Sequence, residues 1–133
     1  MNRSADLARR IRLLLPRRIS RKLPRRIAVI KVSEASAANL NRRYRLEQKP
    51  ANVLSFRYGD GYGEILVCPA VIRREARAQN NSFEYQLTWM IMHGMIHLSG
   101  LHHEKSGAKA AETLRIEQRI LNKIRGTKYY HRA

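Results

Sequence analysis

The sequence predicts an α/β (α+β) fold: one domain in which a small mixed sheet of three to four strands is packed by about five helices. Three observations lead there. Five segments carry apolar residues at helical spacing, three short runs read as strands, and no internal repeat or composition break divides the chain. Its 133 residues suit one domain, read here as 1–133 with a basic N-terminal helix and connector over 1–26 and a basic tail over 126–133. That length buries a core without disulfide staples.

Residues 3–15 place Leu7, Ile11, Leu14 and Leu15 near helical spacing with Arg9, Arg10 and Arg12 between them, and Pro16 stops the helix. A basic connector fills 16–26. The run Ile27-Ala28-Val29-Ile30-Lys31-Val32 is apolar almost throughout, which predicts a strand buried on both faces. Ser33 caps a helix running to about Arg43, with Ala37, Leu40 and Tyr44 on one side. After a loop at Gln48 to Asn52, Val53 to Tyr58 form a second strand. Gly59 to Gly63 make a tight turn and Glu64 to Cys68 a third strand, so a hairpin is expected. Pro69 opens the next helix at a tolerated first-turn position, and Asn80-Asn81 end it after about Gln79. Ser82 caps a longer helix from Phe83 to about Leu98. Gly107 to Ile124 form the last one, with Leu114, Leu121 and Ile124 facing inward.

Twenty-seven Lys and Arg against ten Asp and Glu give a net charge of +17 and a pI near 11.2. Self-repulsion of that size opposes compaction and favours polyanionic partners, nucleic acid first. A basic solvated face is the plainer alternative. No apolar stretch approaches the ~20 residues of a membrane span, and Leu13-Leu14-Leu15 is too short for a signal-peptide core. No membrane partner is expected. The arginine-rich start is compatible with a mitochondrial presequence, but its apolar residues continue the folded pattern. The single cysteine, Cys68, ends the run Ile65-Leu66-Val67-Cys68 and reads as a small buried hydrophobe, not a reactive or ligating thiol. That usage suits a reducing, cytoplasmic compartment.

The chemistry concentrates in His93-Gly94-Met95-Ile96-His97-Leu98-Ser99-Gly100-Leu101-His102-His103. His93 and His97 are four residues apart and share one helix face. Gly100 can end the helix and turn the chain back, so that His103 joins them around one divalent metal. Three protein ligands with an open fourth position is the pattern of a catalytic zinc; a structural zinc is usually closed by four. A lone histidine on an apolar helix face is usually core. Three of them with a glycine at the turn are harder to explain that way, since each buried unsatisfied group costs roughly 1–3 kcal/mol. Adjacent loop side chains point different ways, so His102 and His103 are not expected both to bind, and His103 holds the offset of the third metzincin histidine.

Zincins carry Glu directly after the first histidine as general base. Gly94 stands there instead, which leaves a peptidase without its base; the small residue makes room near the metal or allows close helix packing. Glu64 and His102 are weak candidates for a side-chain base. A metal at three imidazoles polarises a phosphoryl oxygen and acidifies water, and in so basic a chain phosphoryl chemistry fits better than peptide hydrolysis. Zn2+ is the expected ion, although imidazole also suits other divalent transition metals.

The sequence resembles the YbeY-type endoribonucleases of ribosomal RNA maturation. The resemblance rests on the histidine run, on Leu40-Asn41-Arg42-Arg43-Tyr44-Arg45 followed by Lys49-Pro50-Ala51-Asn52-Val53-Leu54-Ser55-Phe56, and on Gly63-Glu64-Ile65-Leu66-Val67-Cys68-Pro69. In order and spacing these blocks cover about residues 27 to 124. The resemblance implies a single α/β domain with a zincin-like histidine helix and one zinc on His93, His97 and His103. It also implies single-strand-specific cleavage in rRNA processing, notably at the 3′ end of 16S rRNA, and ribosome quality control with ribosomal or small-subunit partners. The family's important arginine falls on Arg45, where a guanidinium can bind phosphate oxygens bidentately; Arg45 and His93 are thus the catalytic residues implied. Departures are His102 where Asp usually precedes the third histidine, Glu64 for the common Asp, and Arg57 for the usual Pro. Against the resemblance the beginning looks shortened, so an early strand of the family is expected to be either absent or replaced by the arginine-rich helix.

Two further readings stay open on sequence. One is a non-catalytic RNA- or ribosome-binding assembly factor with a structural metal, motivated by the basic stretch Arg3 to Arg26 and by Lys128, Tyr129, Tyr130, His131 and Arg132. The other is a metallopeptidase-like hydrolase.

Overall fold

The computed structural model describes residues 3–45, 51–100 and 107–125. Their order is α1 (Arg3–Leu14), α2 (Arg17–Ser20), β1 (Arg26–Lys31), α3 (Glu34–Arg45), β2 (Val53–Arg57), β3 (Tyr62–Val67), α4 (Pro69–Ala78), α5 (Phe83–Leu98) and α6 (Gly107–Arg125). The expected α/β architecture is present with one addition. The connector after Pro16 contains the single turn α2, whose Ile19 is buried. The basic tail at 126–133 lies outside the described residues.

The helix α5 is apolar on all sides, as a helix enclosed by other elements must be. Ile91, Met92, Met95 and Ile96 are fully buried, and α1, α4, α6, β2 and β3 all pack against it. Ser82 caps it as the sequence suggests, its Oγ accepting the Tyr85 N–H at 3.1 Å. At the other end Gly100 takes φ +94° and donates its N–H to the His97 carbonyl at 3.0 Å. Only glycine adopts that left-handed turn without strain against a Cβ.

The strand order is β1-β3-β2, with β1 parallel and β2 antiparallel to β3. Val53 pairs with Val67, Ser55 with Ile65 and Arg57 with Gly63. These six therefore share the face toward α5, while Leu54, Phe56, Glu64 and Leu66 turn to the other. The expectation that β1 is buried on both faces fails. It is an edge strand; Ile27 and Val29 pack on the main core, but Ile30 is exposed on the opposite face. A run of consecutive apolar residues hides the alternation that an edge position imposes.

Two helix faces also differ from expectation. In α3 the buried positions are Ala37 and Asn41, whereas Tyr44 is exposed and sets its ring edge-on to Phe56 of β2 at 5.2 Å. In α6 the inward set is Thr113, Ile116, Glu117, Ile120, Leu121 and Ile124, while Leu114 is half exposed. Cys68 is buried with Ala37 and Val71, as a small hydrophobe should be. The arginine-rich start is integrated: Leu7, Ala8, Ile11, Leu15, Ile19 and Leu23 all belong to the main core.

Gly94 sets how closely α5 approaches the sheet. A Cβ there would lie 2.9 Å from Ser55 Oγ, 3.0 Å from Ile65 Cγ2 and 3.4 Å from Val53 Cγ2. Ser55 Oγ in turn donates to the Gly94 carbonyl at 3.1 Å. Of the two uses expected for a small residue here, the structure shows close packing. Replacing Gly94 by Ala gains about 1 kcal/mol of helix propensity, but overpacking costs about 1–3 kcal/mol. Because Ile65 is fully buried, a net loss is expected, read as a lower urea midpoint at unchanged slope. Ser55→Ala removes the nearest obstacle, so the double variant S55A/G94A should be more stable than the sum of the single changes. Strict additivity would show that the two residues do not meet.

Candidate active site

His93 and His97 stand on the same face of α5, their ring centroids 4.7 Å apart. Both face a cavity of about 310 Å³ lined by Val53, Ser55, Arg57, Gly94, Leu98 and Gly100 as well. One wall is thus the α5-facing side of β2 and the other is the last two turns of α5. The helix spacing and the β2 register create the site together.

A third side chain holds His93. Glu117, on α6 and only 3% exposed, places Oε2 2.8 Å from His93 Nδ1. Its other oxygen accepts the Trp89 indole N–H at 2.9 Å. An indole nitrogen only donates, so the carboxylate is oriented from one side before it meets the imidazole. A carboxylate facing Nδ1 favours the proton on that nitrogen and leaves Nε2 as the lone-pair nitrogen. Trp89, His93 and His97 recur every four residues, so one helix face carries the buttress, the buttressed ring and its neighbour.

The donor set fits a borderline metal such as zinc. Two imidazoles share a face, and one has its outer nitrogen committed to a carboxylate, the arrangement that ligating histidines usually show. Among the described residues no group of three His, Cys, Asp or Glu side chains comes together. His102 and His103 lie outside the described residues. Arg45 is the last residue of α3, with its side chain likewise outside them. The Tyr44–Phe56 contact brings that end of α3 to β2, the strand whose other face lines the cavity.

Arg57 and Glu64 are placed differently from what their residue types suggest. Arg57 lines the cavity, yet its guanidinium is engaged by main-chain carbonyls: Leu98 at 2.6 Å, Lys22 at 2.7 Å and Gly59 at 3.0 Å. It satisfies a carbonyl at the end of α5 that has no partner within the helix and ties three chain segments together. Glu64 turns away from the cavity and accepts from Tyr62 at 2.8 Å and Tyr58 at 3.2 Å on the other face of the sheet. It is no base for this site. Both phenols are held above the usual tyrosine range, Tyr62 chiefly by that hydrogen bond and Tyr58 chiefly by desolvation.

The family model described as Endoribonuclease YbeY matches residues 3–125. The chain belongs to the YbeY endoribonuclease family. The match reaches farther toward the N-terminus than residue 27, so α1 and the basic connector fall within the YbeY region. An Endoribonuclease YbeY of Thermotoga maritima is 35% identical over 102 residues, covering 75% of this chain and 68% of the relative. That of Aquifex aeolicus is 32% identical over 104 residues, covering 74% and 69%. The solution structure of TM1509 from Thermotoga maritima superposes with a TM-score of 0.62 at 29% identity, over 95% of this chain and 86% of that one.

Sequence reasoning did not single out Glu117. A signal was present: it occupies the same phase as Ile120, Leu121 and Ile124, so a charged side chain sits on an inward face. Replacing Glu117 by Ala removes both acceptors and strands two donors. The expected destabilisation is about 1–3 kcal/mol, with His93 released from a single tautomer, read from its ring nitrogen NMR shifts. Unchanged shifts would show that Glu117 does not set that tautomer.

Proposed function

We propose that this chain is a metal-dependent endoribonuclease that cuts single-stranded RNA, with ribosomal RNA, notably the 3′ end of 16S rRNA, as its substrate and the ribosome as its setting. The observation that supports this reading most is the His93–His97 pair, buttressed by Glu117 and facing a cavity, in a member of the YbeY family. His93 and His97 hold one zinc ion through their imidazoles, and His103 supplies the third nitrogen. Bound there, zinc supplies Lewis-acid polarisation of a phosphoryl oxygen and acidifies water.

The rest of the work falls to the chain. Glu117 keeps the His93 ring in one orientation and one tautomer. Arg45, at the end of α3, takes the phosphate oxygens bidentately and offsets the charge that builds on them. The described cavity wall carries no carboxylate, which suits an anionic substrate and leaves deprotonation of the nucleophile to groups other than an Asp or Glu of that wall. The volume lies at the small end of pockets that enclose a drug-sized ligand. That size is compatible with one nucleotide of an unpaired strand. Gly94 packs on Ile65 and offers no proton acceptor, so peptide hydrolysis of the zincin kind has no base here. Among the described residues no helix is long and apolar enough to cross a membrane.

His97→Ala should lower bound metal, measured by elemental analysis, and abolish cleavage of single-stranded RNA together. Full cleavage without metal would overturn the assignment, whereas unchanged RNA binding without any turnover by the wild type would favour the assembly-factor reading. Glu117→Ala should weaken the metal by about 10–100-fold in chelator competition. A 2′,3′-cyclic phosphate on the upstream product, with cleavage lost when the nucleotide at the cut carries a 2′-deoxy sugar, would identify the ribose 2′-OH as nucleophile; unchanged cleavage of the 2′-deoxy substrate would identify water.

A further inference from the structure

A second concavity, of about 730 Å³, adjoins the histidine cavity. Arg12, Arg21, Lys22, Arg25 and Arg57 line it, against the single carboxylate of Asp60. Arg57 belongs to both cavities, and Ser99 of this groove lies between Leu98 and Gly100 of the histidine site. The two hollows therefore share a wall at Arg57, past the end of α5.

Arg57 and Arg12 are held by main-chain carbonyls, but Arg21, Lys22 and Arg25 add three further cations beside them, a grouping whose mutual repulsion an incoming anion would relieve. Arg21, Lys22 and Arg25 are exposed, and none of their side chains forms an ion pair among the described residues. The backbone beneath them is fixed. Leu23 and Pro24 are buried, Arg25 and Arg26 donate their N–H groups to the Asp60 and Gly61 carbonyls at 2.9 and 3.0 Å, and the Arg57 guanidinium holds the Lys22 carbonyl. Arg12 reaches the Pro24 carbonyl from α1. The groove thus has a hydrogen-bonded floor and solvent-exposed positive tips spread along it, which suits an extended polyanion more than a small anion of fixed shape.

We propose that this groove seats the sugar–phosphate backbone next to the nucleotide held at His93 and His97, with Arg21, Lys22 and Arg25 as its phosphate contacts. The assignment rests on the endoribonuclease reading for the identity of the polyanion, and binding and cleavage are therefore measured separately. The arginine-rich connector becomes part of the substrate site, and RNA must extend several nucleotides to one side of the cut to bind well.

The test compares the full chain with two triple variants in anisotropy titrations of a single-stranded RNA 20-mer across a salt series. R21A/K22A/R25A removes the groove contacts. R115A/R119A/K123A removes the same charge from exposed positions on α6. The groove variant should bind on the order of tenfold more weakly or worse, and its log–log salt slope should be shallower by about 2, since each single-strand phosphate contact contributes about 0.7. Its melting temperature and metal content should match the wild type, and the α6 variant should keep the wild-type slope. Wild-type affinity and slope in the groove variant would overturn the assignment, as would equal losses in both variants. Displacement of the RNA by polyglutamate as effectively as by unlabelled RNA would overturn the choice of nucleic acid. A wild type that binds through the groove but never cuts would overturn the nuclease reading and leave the groove assignment standing.

Discussion

The contact that the rest of the structure depends on is the one between the bare backbone of Gly94 and the side chains of β2 and β3. With no Cβ at that position, α5 settles against Ser55, Ile65 and Val53 at a distance that any other residue would increase. His93 precedes Gly94 and His97 follows it by three, so both rings are positioned by that approach. The same closeness makes β2 a wall of the cavity. A zincin puts its base where this chain has a glycine; here the position serves packing, and the reaction must draw on other groups.

Polar interactions along α5 and at its C-terminal end complete what packing begins. Glu117 and Trp89 fix the His93 ring from the α6 side, while Arg57 gathers the carbonyls of Leu98, Lys22 and Gly59 at that end. Each is a single side chain that satisfies several buried or helix-terminal groups at once. Losing either leaves more than one polar partner without a bond, the situation in which a deletion costs more than the net worth of a hydrogen bond. The carboxylate of Glu117, buried beside His93, thus does two things at once: it ties α6 to α5 and it fixes the orientation of a cavity-lining imidazole.

Much of this was legible in the sequence, and the exceptions share a cause. Caps and breakers are local chemistry, so Ser82, Pro69 and Gly100 marked their helix ends correctly, and the i,i+4 histidines were bound to share a face. The errors arose where a residue's role depends on what lies across from it. Ile27 to Val32 looked doubly buried because nothing local reveals an edge strand. Tyr44 and Leu114 were placed inward by periodicity alone, whereas Glu117 holds the inward phase through Trp89 and His93. Arg57 reads as a departure from a family pattern, but its function as a three-way carbonyl clamp exists only once the connector, the hairpin turn and the end of α5 are brought together.

That clamp also bears on why so basic a chain folds at all. The net charge of +17 works against compaction, yet α1 and the connector place Leu7, Ile11, Leu15, Ile19 and Leu23 in the core and leave Arg9, Arg17, Arg18, Arg21 and Arg25 exposed. Apolar anchors alternate with cations, so burying the former fixes where the latter project. Arg57 then joins the connector to the end of the histidine helix, and the cations come to lie beside the cavity instead of being spread over the surface. Charge that composition presents as a bulk property becomes local and directional through that join. If the groove takes a polyanion as proposed, long-range attraction would bring that partner next to the face of α5 that carries the imidazoles.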